Sequence, residues 1–253
     1  MDLSAIQAAA DALRAARHVL AITGAGLSAD SGLPTYRGVA GLYAGGLTEE
    51  GIPYEVALSG QMLEHDPALT WKHMGRIEAA CRQGAPNRGH EVLALLEGPG
   101  RRVTVLTQNV DGFHGQAGSS DVIEVHGATR RMVCGCGWSQ EPVDWAAMHE
   151  VPPTCPMCGA SARPDVVLFG EMLPHRAVAR LMAAEQDEPD VVVSIGTSSL
   201  FPYIAAPMWR ARARGATTIE INPAETGVSG SAGIVIRAGA AASLDAIWGV
   251  LEG

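Results

Sequence analysis

Short runs of aliphatic and β-branched residues, each closing on a polar cluster, recur along this chain and restrict its fold more than any other feature. They lie at residues 18–23, 103–107, 122–125, 166–169, 191–195, 217–222 and 234–237. Most are apolar or β-branched at successive positions rather than strictly alternating, which suits strands buried on both faces. Most are separated by segments of helix length, among them 87–96 and 201–214. Ahead of the first run, Leu3, Ile6, Ala10, Leu13 and Ala16 mark an amphipathic helix over 3–17. Strands alternating with helices predict an α/β fold built on a parallel sheet with both faces covered.

Two stretches break the alternation. Residues 39–83 form a long insert without a clear strand and with a helical patch at 67–82. Residues 129–163 hold four of the five cysteines, two tryptophans and Pro152-Pro153, with little strand or helix periodicity. A chain of 253 residues is long enough for one large domain carrying insertions. The expected organisation is one domain from 1–38, 84–128 and 164–253, a helical insert at 39–83, and a cysteine-rich insert at 129–163.

Within that second insert, Cys134-Gly-Cys136 and Cys155-Pro-Met-Cys158 form two cysteine pairs. Four thiolates on two turns suit tetrahedral zinc with bonds of about 2.3 Å, and a site with no open position would be structural rather than catalytic. It would hold together a lobe too small to bury its own core. The one-residue gap of the first pair narrows its bite, so two unrelated reduced pairs are the competing interpretation. Cys81, isolated in Ala79-Ala80-Cys81-Arg82, reads as a buried helix cysteine.

Charge and hydropathy exclude several functions. Lys and Arg number 18 against 27 Asp and Glu, a net charge of −9, which argues against a nucleic-acid backbone as partner. A membrane span needs about 18 consecutive apolar residues, and runs such as 92–96 and 246–251 fall far short. The N-terminus lacks the cationic start and apolar stretch of a secretion signal. The expected location is cytoplasmic, where disulfides are disfavoured.

The first strand runs into Gly24-Ala25-Gly26-Leu27-Ser28, a glycine turn of the kind that admits a phosphate close to the backbone. The third glycine falls at Gly32 rather than position 29, and a plain tight turn would use the same residues. Other strand ends are equally polar: Thr107-Gln108-Asn109-Val110-Asp111, Val125-His126-Gly127, Ile195-Gly196-Thr197-Ser198 and Ile221-Asn222-Pro223. Ligands of open α/β sheets bind at the carboxyl ends of the strands. An Asn, an Asp and a His gathered there can supply a proton acceptor and hydrogen bonds to a sugar and an amide.

Taken in order, these pieces resemble the sirtuin family, bacterial-type NAD-dependent protein deacylases. The matching segments are 24–37, 107–112, 124–127, the two cysteine pairs, 163–171, 196–198 and 221–223, spanning nearly the whole chain. The resemblance implies a Rossmann-like NAD-binding domain, with 39–83 contributing to the cofactor loop and 129–163 binding one structural zinc through Cys134, Cys136, Cys155 and Cys158. Gly24, Ala25, Gly26, Gly196, Thr197, Ser198 and Asn222 would line the adenosine and phosphate half of NAD. Tyr36 and Arg37 would belong to the cofactor loop, and Gln108, Asn109 and Asp111 would surround the nicotinamide ribose and carboxamide. His126 would be the general base, with Asn109 orienting water and ribose and Asp111 the carboxamide. Val167, Phe169, Gly170 and Glu171 would form part of the acyl-lysine tunnel and the edge that pairs with a substrate backbone, although Phe169 would be core in most α/β proteins.

The implied reaction moves the acyl group of an acyl-lysine protein or peptide to ADP-ribose. The amide oxygen attacks the anomeric carbon as nicotinamide leaves, His126 takes a proton from the ribose hydroxyls, and water completes release of lysine and O-acyl-ADP-ribose. The same scaffold could serve a protein mono-ADP-ribosyltransferase or NAD glycohydrolase, or a non-catalytic zinc- and nucleotide-binding module. His114 reads as structural, Glu124 suits capping or pairing within the fold, and His18, His65, His73, His90, His149 and His175 fall outside the catalytic motifs. The chain departs from the family pattern at Tyr36, in the tightened first cysteine pair, at Gly115-Gln116, and at Pro202, which comes one residue early after Gly196. In the helical patch, either His73 and Arg76 or, one register on, Met74 and Ile77 would face the acyl pocket.

Overall fold

The structure, a computed structural model, describes residues 1–34, 46–148 and 150–253. Tyr36, Arg37 and His149 lie outside the described residues.

Six strands form a parallel sheet: β1 (His18–Thr23), β2 (Arg102–Thr107), β3 (Asp121–Glu124), and beyond a second, smaller sheet, β7 (Val191–Ile195), β8 (Thr217–Ile221) and β9 (Ile234–Ile236). Their order across the sheet is β3-β2-β1-β7-β8-β9. The chain thus builds outward from β1 in one direction and from β7 in the other, so the order reverses between β1 and β7. That reversal opens a crevice at the carboxyl ends of the strands, where dinucleotide-binding sheets take their ligand.

Successive residues of each strand serve opposite cores. Val19 and Ala21 of β1, with Val191 and Val193 of β7, pack against helices α1 (Leu3–Ala15), α6 (Arg88–Leu95) and α10 (Ala240–Glu252). Leu20, Ile22 and Val192 point the other way, against α8 (His175–Gln186) and α9 (Pro202–Ala213). Burial on both faces is the reason these strands read as continuous apolar runs. The helices carry local stop and start signals of the usual kind. Asp2 caps α1 by accepting from the Ser4 and Ala5 N–H groups, and Asn87 with His90 forms a capping box on α6.

The run at 166–169 is not a strand of the parallel sheet. The small antiparallel sheet has the order β5-β4-β6, with β4 at Gly127–Val133, β5 at Ser139–Gln140 and β6 at Arg163–Val166. Residues beyond Val166 leave it: Phe169 bridges to Ser59 of the helical insert. Leu168 is buried with Leu58 and Met74 instead of in the main core. An apolar run is buried wherever packing puts it, and here it lies between two inserts. The cysteine-rich stretch, which shows little periodicity in sequence, therefore contains real strands, too short and too exposed at β5 to leave a pattern.

The helical insert comprises α3 (Tyr54–Ala57), α4 (Gly60–His65) and α5 (Pro67–Gln83), and two short helices, α2 (Ala25–Ser28) and α7 (Phe113–Gln116), sit at strand ends. Asp66 caps α5, and Pro67 takes its first turn, where a missing N–H costs nothing. Trp71 of α5 packs on Met132 and Ala162 of the cysteine-rich lobe and lies 5.2 Å from Trp145 between ring centroids. The two inserts thus share a core and form one side of the crevice. Among the described residues, no helix is long and apolar enough to cross a membrane.

Candidate active site

The turn after β1 and the turn after β7 touch along their backbones. Gly26 N–H donates to the Gly196 carbonyl at 2.8 Å, and Gly24 N–H to that of Ile195 at 3.1 Å. A Cβ at Gly26 would fall 2.8 Å from Gly196 Cα, and one on Gly196 would fall 2.5 Å from Leu27 N. These glycines permit two segments of the chain to meet at the switch point, an additional reason for their presence besides close approach of a ligand. Ala25 and the hydroxyl-bearing loop follow directly. Thr197 Oγ1 accepts from the Gln108 side-chain amide at 2.7 Å, Asn222 donates through Nδ2 to the Thr197 carbonyl at 3.1 Å, and Ser198 is exposed.

Residues 107–111 leave β2 and turn their side chains under α2. Asn109 is buried and donates through Nδ2 to the Gly24 carbonyl at 3.1 Å and to Ser28 Oγ at 3.0 Å. Ser28 in turn donates to Asp111 Oδ2 at 2.8 Å, and Phe113 N–H donates to Asp111 Oδ1 at 2.9 Å. Burial raises the Asp111 carboxyl above its usual range, partly offset by those two donors. Ser28 is therefore the link between Asn109 and Asp111, a residue that the motif contains but whose partners lie far along the chain. Ala25, Ser28, Asn109 and Asp111 line a cavity of about 180 Å³, closed from the insert side by His73 and Arg76 of α5. Ile77 also borders it, whereas Met74 faces Leu58 and Leu168. Cys81, on the same helix, is buried at the cavity edge, with burial pushing its thiol up to about 12.

His126 stands at the junction of the two sheets, between Val125, whose N–H still donates to Thr107, and Gly127, the first residue of β4. Gly127 has φ +78°, and a Cβ there would lie 1.9 Å from the Asp165 carbonyl oxygen. Only glycine makes that turn, and the turn leaves His126 in the crevice. Its Nδ1 faces the Gln108 carbonyl at 3.0 Å and its Nε2 the Tyr203 hydroxyl at 2.7 Å. Burial lowers its pKa and favours the neutral ring, opposed by the Gln108 hydrogen bond. His114, by contrast, is buried away from the crevice with Thr23 Oγ1 2.9 Å from Nε2 and His90 beside it.

The segment 167–171 is stapled on both sides. Val167 N–H donates to the His126 carbonyl at 2.9 Å, and Phe169 exchanges both backbone bonds with Leu58 and Gly60. Glu171 accepts from the Arg163 guanidinium at 2.6 and 2.9 Å and from Leu168 N–H at 2.8 Å. Burial pushes its carboxyl up, but these donors outweigh it and hold it below the usual range. Gly170 is exposed with φ +81°. Both backbone groups of Phe169 are thus engaged within the fold.

The four thiols of Cys134, Cys136, Cys155 and Cys158 lie within 4.8 Å of one another. Cys134 and Cys158 sulfurs are 3.6 Å apart, and those of Cys136 and Cys155 3.7 Å. A tetrahedron with bonds of about 2.3 Å has edges near 3.8 Å, so the donor set fits zinc despite the tightened first pair.

A family profile described as the Sir2 family matches residues 24–201. Over 229 residues the chain is 48% identical to NAD-dependent protein deacylase 2 of Pseudomonas aeruginosa, covering 89% of each chain. It superposes on a Sir2 homologue–NAD complex with a TM-score of 0.86 at 33% identity, over 97% of this chain and 94% of that one. It also superposes on a mutant Sir2 homologue bound to 2′-O-acetyl ADP-ribose with a TM-score of 0.86 at 33% identity, over 100% and 97%.

Proposed function

This chain belongs to the Sir2 family, and from that premise we infer that it is an NAD-dependent protein deacylase, moving the acyl group of an acyl-lysine onto ADP-ribose with release of nicotinamide. The observation that carries this reading is the convergence of Asn109, Asp111 and His126 beside the touching turns of Gly26 and Gly196, at the reversal of strand order.

NAD supplies the electrophilic anomeric carbon and the sugar hydroxyls that receive the acyl group. Gly24, Ala25, Gly26, Gly196, Thr197, Ser198 and Asn222 hold its phosphates and adenosine, with Tyr36 and Arg37 in the cofactor loop. Gln108 fixes the cofactor turn through Thr197 and the base through its own carbonyl. Asn109 orients the ribose and a water, while Asp111, steadied by Ser28, faces the carboxamide. His126, whose Nε2 faces the Tyr203 hydroxyl, is the proton acceptor. Val167, Phe169, Gly170 and Glu171 line the acyl-lysine entrance, and the peptide pairs with backbone on either side of Phe169. Zinc on the four cysteines braces the lobe that forms this wall and takes no part in the chemistry. Reduced cysteine pairs and a net charge of −9 fit a cytoplasmic enzyme acting on acylated proteins, with neither nucleic acid nor membrane as partner.

Incubation with NAD and an acetyl-lysine peptide tests the reading. Nicotinamide should form only when both are present, together with deacetylated peptide and O-acetyl-ADP-ribose by mass spectrometry. ADP-ribose attached to protein, or nicotinamide from NAD alone at the same rate, would overturn it in favour of ADP-ribosyl transfer or glycohydrolysis.

A further inference from the structure

The hydrogen bonds around His126 determine its tautomer. The Gln108 carbonyl, 3.0 Å from Nδ1, can only accept, so Nδ1 carries the ring proton and Nε2 keeps the lone pair. The Tyr203 hydroxyl lies 2.7 Å from Nε2 and must therefore be the donor. The one lone pair with which His126 can act as a base is already occupied by a phenol.

That phenol is held in place. Tyr203 is half-buried in the first turn of α9, and its ring stacks on Phe201 at 5.5 Å with an interplanar angle of 15°. Both rings meet the imidazole edge-on. Burial pushes the phenol up to about 12, so it stays protonated near neutral pH and cannot be the base itself. Its single proton is given to His126, while its oxygen lone pairs remain for a donor on the other side. A sugar hydroxyl is such a donor.

We propose that Tyr203 is a further catalytic residue, relaying the proton of the ribose hydroxyl to His126. The inference rests on the deacylase reading. The sugar O–H proton passes to the Tyr203 oxygen while the Tyr203 proton passes to Nε2. The electron pair of the broken O–H bond becomes the bond from the sugar oxygen to the acyl carbon, which hands its π pair to the lysine nitrogen. Tyr203 ends neutral and His126 ends as imidazolium, still donating through Nδ1 to Gln108. No outside acid, base or oxidant is required.

Tyr203→Phe removes the hydroxyl and keeps the ring. In the free protein, without NAD, the ¹⁵N signal of Nε2 should move toward that of an unbonded ring nitrogen while Nδ1 stays protonated. With NAD and acetyl peptide, kcat for O-acetyl-ADP-ribose formation should fall about 100-fold, the low end for a proton-transfer group. Exchange of labelled nicotinamide into NAD, which precedes the proton transfer, should stay within about twofold of wild type. A proton inventory should drop from two protons in flight to one. Wild-type or faster acyl transfer in the variant would overturn the relay, showing that the sugar reaches Nε2 directly by displacing the phenol. Equal losses of exchange and transfer with a lowered Tm would overturn it in favour of a packing role. Peptide-independent behaviour of the wild-type enzyme would instead sink the deacylase reading and the relay with it.

Discussion

The carbonyl oxygen of Gln108 holds Nδ1 of His126 at 3.0 Å. The side chain of the same glutamine reaches Thr197, and the next residue, Asn109, reaches Gly24 and Ser28. One strand end thus registers the base, the turn after β7 and the turn after β1 against one another. The geometry of the crevice depends on where β2 stops.

His126→Ala should abolish deacylation while leaving the fold and NAD affinity nearly intact. A positioned base contributes about 100- to 10,000-fold, and the cofactor groups sit on other strand ends. Retention of more than about a tenth of wild-type kcat would show the base to lie elsewhere. Because burial lowers the His126 pKa, the acid limb of the wild-type rate should fall below the ordinary histidine value of about 6.5.

Ser28→Ala removes one donor from Asp111 and one acceptor from Asn109 in a buried site. An unsatisfied buried polar group costs about 1 to 3 kcal/mol, so kcat/KM for NAD should fall roughly tenfold or more. Steady-state kinetics with unchanged kcat/KM would show that Asn109 and Asp111 hold their places without this hydroxyl.

Purified protein should contain one zinc per chain, and Cys155→Ala or Cys158→Ala should lose both the metal and the integrity of the lobe, because structural zinc is coupled to folding. Activity should be lost with it, since Trp71 and Trp145 pack the lobe against α5 beside the cavity. Metal analysis finding no zinc in active enzyme would contradict the four-sulfur site.

Acid should destabilise the fold through two buried histidines outside the catalytic set. Burial lowers His90 to about 4 and His114 to about 3, the latter also disfavoured by His90. Their native pKa values lie below the unfolded value of about 6.5, so the unfolded chain binds more protons between those limits. Their contribution to stability is complete above about pH 6.5 and is lost progressively as pH falls toward 3. Urea titrations at pH 7, 5 and 4 should show the midpoint falling, and His114→Asn should flatten the dependence. A midpoint independent of pH in that range in both proteins would disprove this.

The acyl pocket should prefer acetyl-lysine to succinyl-lysine by at least about tenfold in kcat/KM. His73 and Arg76 face the cavity, but Arg76 donates to Glu49 at 2.7 Å and His73 Nε2 lies 3.0 Å from Glu50, while Lys72 contacts both carboxylates. The cations already have partners, and an incoming carboxylate would lose its hydration for an exposed, neutralised guanidinium. Glu49→Gln should narrow the preference. Equal or better rates on the succinyl peptide in the wild-type enzyme would refute the preference, and Arg76→Met would then show whether the guanidinium is responsible.

Several features were legible along the chain because their causes are local. Burial on both faces makes β1 and β7 nearly continuous apolar runs, and the two cysteine pairs point to a four-sulfur site. Residues such as Asn109, Asp111 and His126 follow strand ends and could be named as candidates before any fold was known. Other features are settled only by distant partners. The run at 166–169 has the same apolar pattern as a sheet strand, yet it lies between the inserts because Leu58 and Met74 supply its surroundings. Ser28 meets Asp111 across 83 positions and His126 meets Tyr203 across 77. The early Pro202 marks where α9 begins, but nothing near it in sequence says that Tyr203 will face an imidazole. Residue pattern encodes local conformation and the need for burial. Which groups share that burial depends on strand order and on the packing of inserts, which arise only when the whole chain closes on itself.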